Sequence, residues 1–237
     1  MIELHQFAPV DGVNLSPFCA KVETYLRLRR IPHRVVVDPP FKGPKGKLPF
    51  IVDGPTTIDD SSQILAHLEA TRPDPLDAGL DAAARATAHL VKRTLEESLY
   101  FAMLFDRWAD DANWPRTRDA LFAAIPKAVR PAVTALIRRK ILRDLKGEGT
   151  GKMTPEEVAG RGAADIAAVA EVLGERDFLV CDRVTTIDVV LFAFIDNLSR
   201  GGFAGPLREA ATASAGLVGH HRRMTALLAA SASADPG

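Results

Sequence analysis

Ser16 is the first residue whose type and position suggest chemistry, because it stands at the predicted start of a helix. Pro17 follows it, and proline is favoured in a first helical turn, where a serine hydroxyl is also a good N-cap. Free backbone N–H groups and the helix dipole stabilise an anion at such a position. A serine cannot cycle through a disulfide, but it can donate a hydrogen bond to another molecule's thiolate. Taken alone, Ser16 is more simply a plain N-cap.

The elements that must position Ser16 lie in residues 1–75. Apolar and polar patterning predicts four strands and two helices. The strands are predicted at 2–8, 33–38, 48–54 and 56–59, and the helices run from Ser16 to the Ile31-Pro32 step and from a Ser61 or Ser62 cap to Ala70. A strand–helix–strand unit, then a hairpin and a helix, is the order of a thioredoxin-like fold. In that fold a C-x-x-C motif opens the first helix, where this chain has Ser16 to Cys19. The Pro/Asp-rich stretch 72–75 is the predicted linker.

Residues 76–230 are predicted to form an all-helical domain, because alanine, the best helix former, is concentrated there. One long helix is expected over 81–111. Pro126 and Pro131 predict two pieces or a kinked helix over 116–145, followed by a loop at 146–152. Thr154 and Glu157 form the capping box of the next predicted helix, a helix buried on every side is expected over 187–198, and a last helix over 217–230. Residues 231–237 are predicted to be a disordered tail.

Composition excludes several classes of function. The 237 residues carry 30 basic and 30 acidic side chains, so a nucleic-acid binder, which needs a basic excess, is not expected. No apolar run reaches the ~20 residues of a membrane span. The N-terminal residues lack the pattern of a secretory signal, and the chain has only two cysteines. Both features predict a cytoplasmic protein. No metal site is expected: His220-His221 lacks further ligands and is predicted at the surface. The run 138–140 is predicted to be a solvated helix face.

Four segments resemble the glutathione S-transferases, and within them the branch of the metaxins and the failed-axon-connections proteins. They are SPFCAKVETYLR (16–27), PKGKLPFI (44–51), IDDSSQIL (58–65) and LGERDFLVCDRVTTIDVVLFAFI (173–195), in the family's order over nearly the whole chain. The resemblance implies an α/β plus all-α class: an N-terminal thioredoxin-like βαβ-ββα domain (1–75) and a C-terminal helical bundle (76–230). It also implies a homodimer.

The resemblance further implies a glutathione site. Ser16 occupies the position that hydrogen-bonds the glutathione sulfur. Leu48-Pro49 matches a cis-proline step whose backbone pairs with the tripeptide. Asp60 and Ser61 match the pair that holds the γ-glutamyl end, Asp60 suiting the ammonium and Ser61 the carboxylate. Considered alone, this pair is also typical of an ordinary strand-to-helix turn.

Other family positions follow from the same resemblance. Either Lys45 or Lys47 would reach the glycyl carboxylate. Thr185 and Asp188 match a buried capping box with a role in folding, and Cys181 stands where the family usually has glycine.

An apolar substrate pocket is expected beside Ser16. Its candidate lining residues are Phe18, Tyr100, Phe101, Phe105 and Trp108. An aromatic cluster at helical spacing is also typical of a core, and both interpretations stay open.

The leading hypothesis is a transferase that binds glutathione without a metal and joins its thiolate to a small apolar electrophile. A free thiol has a pKa near ~8.5, and a hydroxyl plus a helix N-terminus can lower it by about one to two units at ~1.4 kcal/mol each. One alternative is a non-catalytic interaction or scaffold module, which predicts an exposed apolar patch. Another is a glutathione-dependent thiol reductase or peroxidase, which requires a reachable Cys19. As a member of the apolar helix stripe, Cys19 is predicted instead to be a buried core thiol.

Overall fold

A four-stranded mixed sheet forms the centre of the N-terminal part of the chain. The structure is a computed structural model that describes residues 1–123 and 125–233. The strands are β1 (Ile2–Gln6), β2 (His33–Val37), β3 (Phe50–Asp53) and β4 (Thr56–Asp59). Their order is β2-β1-β3-β4, with β1 and β2 parallel and the other neighbours antiparallel. Gly54 makes the β3–β4 turn with a φ of 60°, a backbone conformation that glycine adopts without steric cost. The thioredoxin-like order of elements is confirmed.

Two helices complete this part: α1 (Pro17–Leu28) and α2 (Ser61–Thr71). Ser16 is the N-cap of α1, as the sequence predicts. The predicted cap of α2 is wrong, because Asp60 holds that position instead of Ser61 or Ser62. Its carboxylate accepts the backbone N–H groups of Ser62 and Gln63 at 2.9 and 3.2 Å. A carboxylate is favoured there because it also faces the positive end of the helix dipole.

The rest of the described chain is helical. Its elements are α3 (Ala82–Arg93), a π-helical turn (Thr94–Leu99), α4 (Tyr100–Trp108), α5 (Trp114–Leu121), α6 (Arg130–Glu148), α7 (Pro155–Leu173), α8 (Thr186–Arg200), α9 (Pro206–Ala213) and α10 (Ala215–Ser233). The expected long helix therefore ends at Trp108 and contains a π turn. The C-terminal helical domain is confirmed, whereas the boundary at residue 75 stays a prediction.

The proline-containing region forms two helices, one of the two predicted outcomes. Pro126 lies between α5 and α6, but Pro131 is in the first turn of α6, where its missing N–H removes no helical bond. The predicted loop at 146–152 is wrong, because α6 continues to Glu148 and a short 3-10 turn follows at Thr150–Lys152. The capping box of Thr154 and Glu157 is confirmed. Helix α9 has no counterpart among the predicted elements.

Helix α8 is the centre of the helical part and also packs against the sheet domain. All its residues from Ile187 to Leu198 are buried, as expected. Val189 and Phe192 join an apolar cluster with Val22 of α1 and Ile51 of β3. Because α8 contacts both parts, α1 is held against the helical domain by continuous apolar packing.

His220 and His221 do not lie at the surface as predicted. Helix α10 packs on α8, so His220 is fully buried with its Nε2 3.1 Å from Asp188 Oδ1. His221 is half-buried and stacks on Phe192. The sequence prediction failed because the carboxylate partner of His220 lies 32 residues away in the chain.

The C-terminal end of the described chain and the basic run on α6 differ in part from the predictions. Of the predicted tail, residues 231–233 end α10, and 234–237 lie outside the described residues. In the run 138–140, Arg139 and Lys140 are exposed, whereas Arg138 is half-buried. Within the described residues no helix is long and apolar enough to cross a membrane.

Candidate functional site

Ser16 lies at the N-terminus of α1 and is half-buried. Its Oγ accepts the backbone N–H of Cys19 at 3.3 Å, and its own N–H donates to Asn14 Oδ1 at 3.1 Å. A hydroxyl that accepts one bond still has a proton to donate. The structure therefore makes Ser16 an N-cap and leaves its hydroxyl able to serve a ligand anion.

A buried polar network holds the loop before Ser16. Arg107 of α4 donates to Leu15 O at 2.7 Å and to Asn197 Oδ1 at 3.1 Å. Asn197 of α8 in turn donates to Asn14 O at 2.8 Å. Burial lowers the pKa of Arg107 to about 10, so the guanidinium remains charged at neutral pH. The position of Ser16 thus depends on side chains of the helical domain that the sequence analysis missed.

Cys19 is fully buried, as expected for a core thiol. It packs with Leu48 and Phe50 in a small apolar cluster. Burial raises the pKa of the Cys19 thiol to about 11, against a smaller opposing effect of the Ser16 hydroxyl. The thiolate is the nucleophile in thiol chemistry, so this environment does not favour a reductase in which Cys19 attacks.

Leu48 and Pro49 follow the loop that joins β2 to β3. Their peptide bond is cis, and both residues are buried. In the described part of the chain, neither the N–H nor the C=O of Leu48 forms a hydrogen bond. This backbone is free to pair with an extended peptide.

Ser61 is the first residue of α2 and follows β4 closely in the chain. The residue is 5% exposed, yet its N–H and hydroxyl have no hydrogen-bond partner among the described residues. Asp60 before it has a φ of 69°, a left-handed conformation uncommon for a residue with a side chain. A helix N-terminus with unused donors is suited to a carboxylate.

The two candidate lysines differ in their partners. Lys45 Nζ lies 2.8 Å from Asp59 Oδ1. Lys47 is exposed, and no hydrogen bond or ion pair to it occurs among residues 1–123 and 125–233. Lys47 is therefore the lysine that is free for a ligand.

A buried ion pair lies behind these groups and was also missed. Lys21 of α1 is fully buried and pairs with Glu96 of the π-helical turn. Ser62 of α2 bonds both partners, at 3.4 Å to Lys21 Nζ and 3.3 Å to Glu96 Oε2. The network therefore ties the two helices that begin at Ser16 and Ser61 to the helical domain. π turns are often found at functional sites, and here the turn carries Glu96.

The structure divides the aromatic residues predicted to line one pocket. Phe18 and Tyr100 meet edge to face with ring centroids 4.7 Å apart, and Phe101 contacts Tyr100. Trp108 packs instead against Trp114 and Phe122, and is 7% exposed.

Phe105 lines a different cavity, of about 220 Å³, between α4, α7 and α9. Phe105 is five residues after Tyr100 and therefore projects from a different side of the helix. Trp108 is held away from Tyr100 by its packing on Trp114 and Phe122. Of the five predicted pocket residues, the described structure therefore brings Phe18 and Phe101 into contact with Tyr100, whereas Phe105 and Trp108 lie elsewhere.

Residues 17–113 match the model of the glutathione S-transferase N-terminal domain. The chain is 31% identical to isoprene-epoxide–glutathione S-transferase of Rhodococcus sp. over 84% of this chain and 87% of that protein. The chain belongs to the glutathione S-transferase superfamily. The resemblance inferred from the four segments is thus confirmed.

Two further relatives of this superfamily member define its fold and branch. A solved glutathione S-transferase from Methylobacillus flagellatus with glutathione bound has a TM-score of 0.63, 15% identity and 98% coverage of both chains, which shows the shared fold. Failed axon connections of Drosophila melanogaster is 31% identical over 94% of this chain. The chain spans 57% of that relative's length. This similarity places the chain in the branch of the metaxins and the failed-axon-connections proteins, as predicted from its sequence.

The capping box of this superfamily member is fully formed. Asp188 accepts the N–H and hydroxyl of Thr185 at 2.9 and 2.6 Å and the N–H of Leu179 at 2.8 Å. Cys181 has no left-handed φ, so the turn does not require glycine at this position. Among the described residues no cluster of His, Cys, Asp and Glu is arranged to hold a metal ion.

Proposed function

We propose that the chain binds reduced glutathione and joins its thiolate to a small apolar electrophile. The observation that carries the proposal is the Ser16 hydroxyl at the N-terminus of α1. Around it, the free backbone of Leu48 suits the peptide, and the unused donors of Ser61 suit the γ-glutamyl carboxylate. Asp60 would face the ammonium, and Lys47 would face the glycyl carboxylate.

The proposed chemistry uses groups of the chain, the glutathione thiol, which releases its proton to solvent, and water. A hydrogen bond from Ser16 and the dipole of α1 favour the thiolate over the thiol. The sulfur lone pair then forms a C–S bond with the electrophile. For an epoxide, the ring C–O bond breaks and the resulting alkoxide takes a proton from water. Positioning of the two reactants supplies the remaining acceleration.

A small epoxide is the electrophile class that we propose first. The support comes from the Rhodococcus relative, whose name states that isoprene epoxide is its substrate. Phe18 and Tyr100 offer an apolar surface next to Ser16 for such a molecule. A homodimer and a cytoplasmic location stay predictions from the family resemblance and the composition.

The first test is binding of glutathione. With a dissociation constant one hundredfold below the glutathione concentration, mass action stabilises the fold by ~2.7 kcal/mol, a rise in Tm of roughly 5–10 °C for a chain of this size. We expect Asp60→Ala with Ser61→Ala to abolish the rise. No rise in the unaltered protein contradicts the proposed function.

The second test is turnover with a small apolar epoxide. Ser16→Ala is expected to lower turnover at least tenfold while the Tm falls only by the loss of an N-cap, about 1 kcal/mol. Ser214→Ala is the matched control, because Ser214 Oγ accepts the N–H of Leu217 in the same local geometry at the start of α10. Equal turnover in Ser16→Ala and Ser214→Ala contradicts the role of Ser16.

A second candidate function is a non-catalytic interaction module. One observation favours it: the edge strand β2 exposes Val35 and Val37 on one face, and Phe41 in the following turn is 77% exposed. Exposed apolar edge strands are typical sites of association. This candidate predicts no stabilisation by glutathione and recovery of a stoichiometric protein partner that Val37→Lys no longer retains.

A further inference from the structure

A groove between α5 and α6 is lined by basic side chains and lies apart from the proposed glutathione site. Its volume is about 460 Å³, within the range of small-molecule sites. Every residue that lines it comes from positions 114–138. The residues on which the inference rests are Trp114, Arg118, Asp119, Lys127, Arg130 and Arg138.

The lining of this α5–α6 groove has an excess of positive charge. Four cations face one carboxylate, a net of three positive charges in a chain with 30 basic and 30 acidic residues. Asp119 pairs with Arg118, its neighbour in sequence, at 2.8 Å. Lys127 is exposed and has no hydrogen bond or ion pair with any described residue. Neither Lys127 nor Arg130 has a carboxylate partner among the described residues.

Two of the guanidinium groups are held in place without losing their charge. Arg130 donates to the carbonyls of Ala123 and Ile125 at 2.8–3.0 Å, and Arg138 donates to Trp108 O at 2.8 Å. A carbonyl oxygen orients a guanidinium but cancels none of its charge. Each group also has N–H donors beyond those bonds.

Arg138 is fixed from two further sides. It lies 4.7 Å over the Trp114 ring, and its carboxylate partner Asp111 has a side chain that is 92% exposed. An ion pair with so exposed a partner contributes little free energy, so Arg138 can exchange Asp111 for a ligand anion at low cost. The groove is thus a set of oriented cations that is ready for an anion.

We propose that the α5–α6 groove binds a small phosphorylated compound, a phosphate monoester or diphosphate. Guanidinium groups match phosphate oxygens in paired hydrogen bonds, and a lysine adds a mobile point charge. A ligand of two to three negative charges balances the lining, whereas a single carboxylate does not. The site goes beyond the proposed transferase function, because no residue of the glutathione site lines it.

Inorganic pyrophosphate is the probe that tests this proposal, with the full chain and isothermal titration calorimetry. We expect saturable binding of one pyrophosphate per chain and a change in tryptophan fluorescence. Lys127→Ala and Arg118→Gln are each expected to weaken binding at least tenfold, about 1.4 kcal/mol. Both side chains are on the surface, so circular dichroism and Tm are expected to stay unchanged.

Lys146→Ala and Arg139→Gln are the matched controls. Both residues are exposed on α6 and do not line the groove. The two control variants and Ser16→Ala are expected to bind pyrophosphate with an affinity within twofold of that of the unaltered protein. The proposal is overturned by absence of saturable binding at millimolar pyrophosphate. It is equally overturned if the control variants lose as much affinity as the groove variants, because pyrophosphate is then attracted by the general positive charge of the surface and not by this groove.

Discussion

The buried pair of Lys21 and Glu96 provides the sharpest test of how the two parts of the chain are joined. Lys21 is fully buried, the Glu96 side chain is 9% exposed, and Ser62 is their shared hydrogen-bond partner. Removing one member of such a pair leaves an uncompensated buried charge, at a cost of about 3–5 kcal/mol. Replacing both members by apolar residues of similar size removes the charge and the penalty together, and is often neutral.

We therefore expect Lys21→Met to lower the Tm by roughly 10 °C, since 1 kcal/mol corresponds to about 2–4 °C in a chain of this length. The double variant Lys21→Met with Glu96→Leu is expected to recover most of that loss. Differential scanning calorimetry and urea unfolding at neutral pH measure both. The control is Arg93→Met with Glu97→Leu, which removes an exposed ion pair of the same helical region and is expected to change the Tm by less than about 2 °C.

The same variants separate folding from function. If the network positions Ser61 for glutathione, the double variant will be stable but will show a raised KM for glutathione with little change in kcat. Glu96→Leu alone is the second single variant. If the double variant loses as much stability as the two single variants together, the reasoning is refuted, because the pair is then not coupled.

Three further predictions follow from individual groups. At pH 7.5 iodoacetamide is expected to modify the half-buried Cys181 and to leave Cys19 unmodified until urea unfolds the chain. Mass spectrometry measures the modification of each cysteine, and equal labelling of the two in the folded protein contradicts the burial of Cys19. Burial raises the pKa of Asp106 to about 6, so the carboxyl stabilises the fold below pH ~4 and this contribution is lost as the pH rises through 6. Asp106→Asn is thus expected to raise the Tm by about 3–6 °C at pH 8, after allowance for partial exposure, and to leave it unchanged at pH 4, whereas Asp144→Asn on the surface shows no such difference. Arg107→Met leaves buried acceptors without a donor and should lower stability by about 2–4 kcal/mol in urea unfolding; a loss below 0.5 kcal/mol contradicts the network.

Much of the local structure follows from the sequence alone. The Ser16-Pro17 start of α1, the Asp53-Gly54 hairpin and the capping box at Thr154 depend on residues within three or four positions of one another. Such short-range rules do not require knowledge of the rest of the fold. The four family segments also indicate where the candidate glutathione residues stand.

The tertiary structure decided which side chains meet across the chain. Lys21 and Glu96 are 75 residues apart, and Arg107 and Leu15 are 92 apart. Neither pair has a sequence signal, because a lysine or arginine on a helix is most often solvated.

The same limit applies to the aromatic residues and the histidines. Tyr100 and Trp108 lie on the same helix, but only the packing of α5 decides that Trp108 contacts Trp114 and Phe122 rather than Phe18. His220 is buried because α10 packs on α8, where the ring Nε2 of His220 lies 3.1 Å from Asp188 Oδ1. The sequence by itself determined the elements and their order, since these depend on neighbours along the chain. Burial and pairing depend on contacts between distant segments, and only the tertiary structure could decide them.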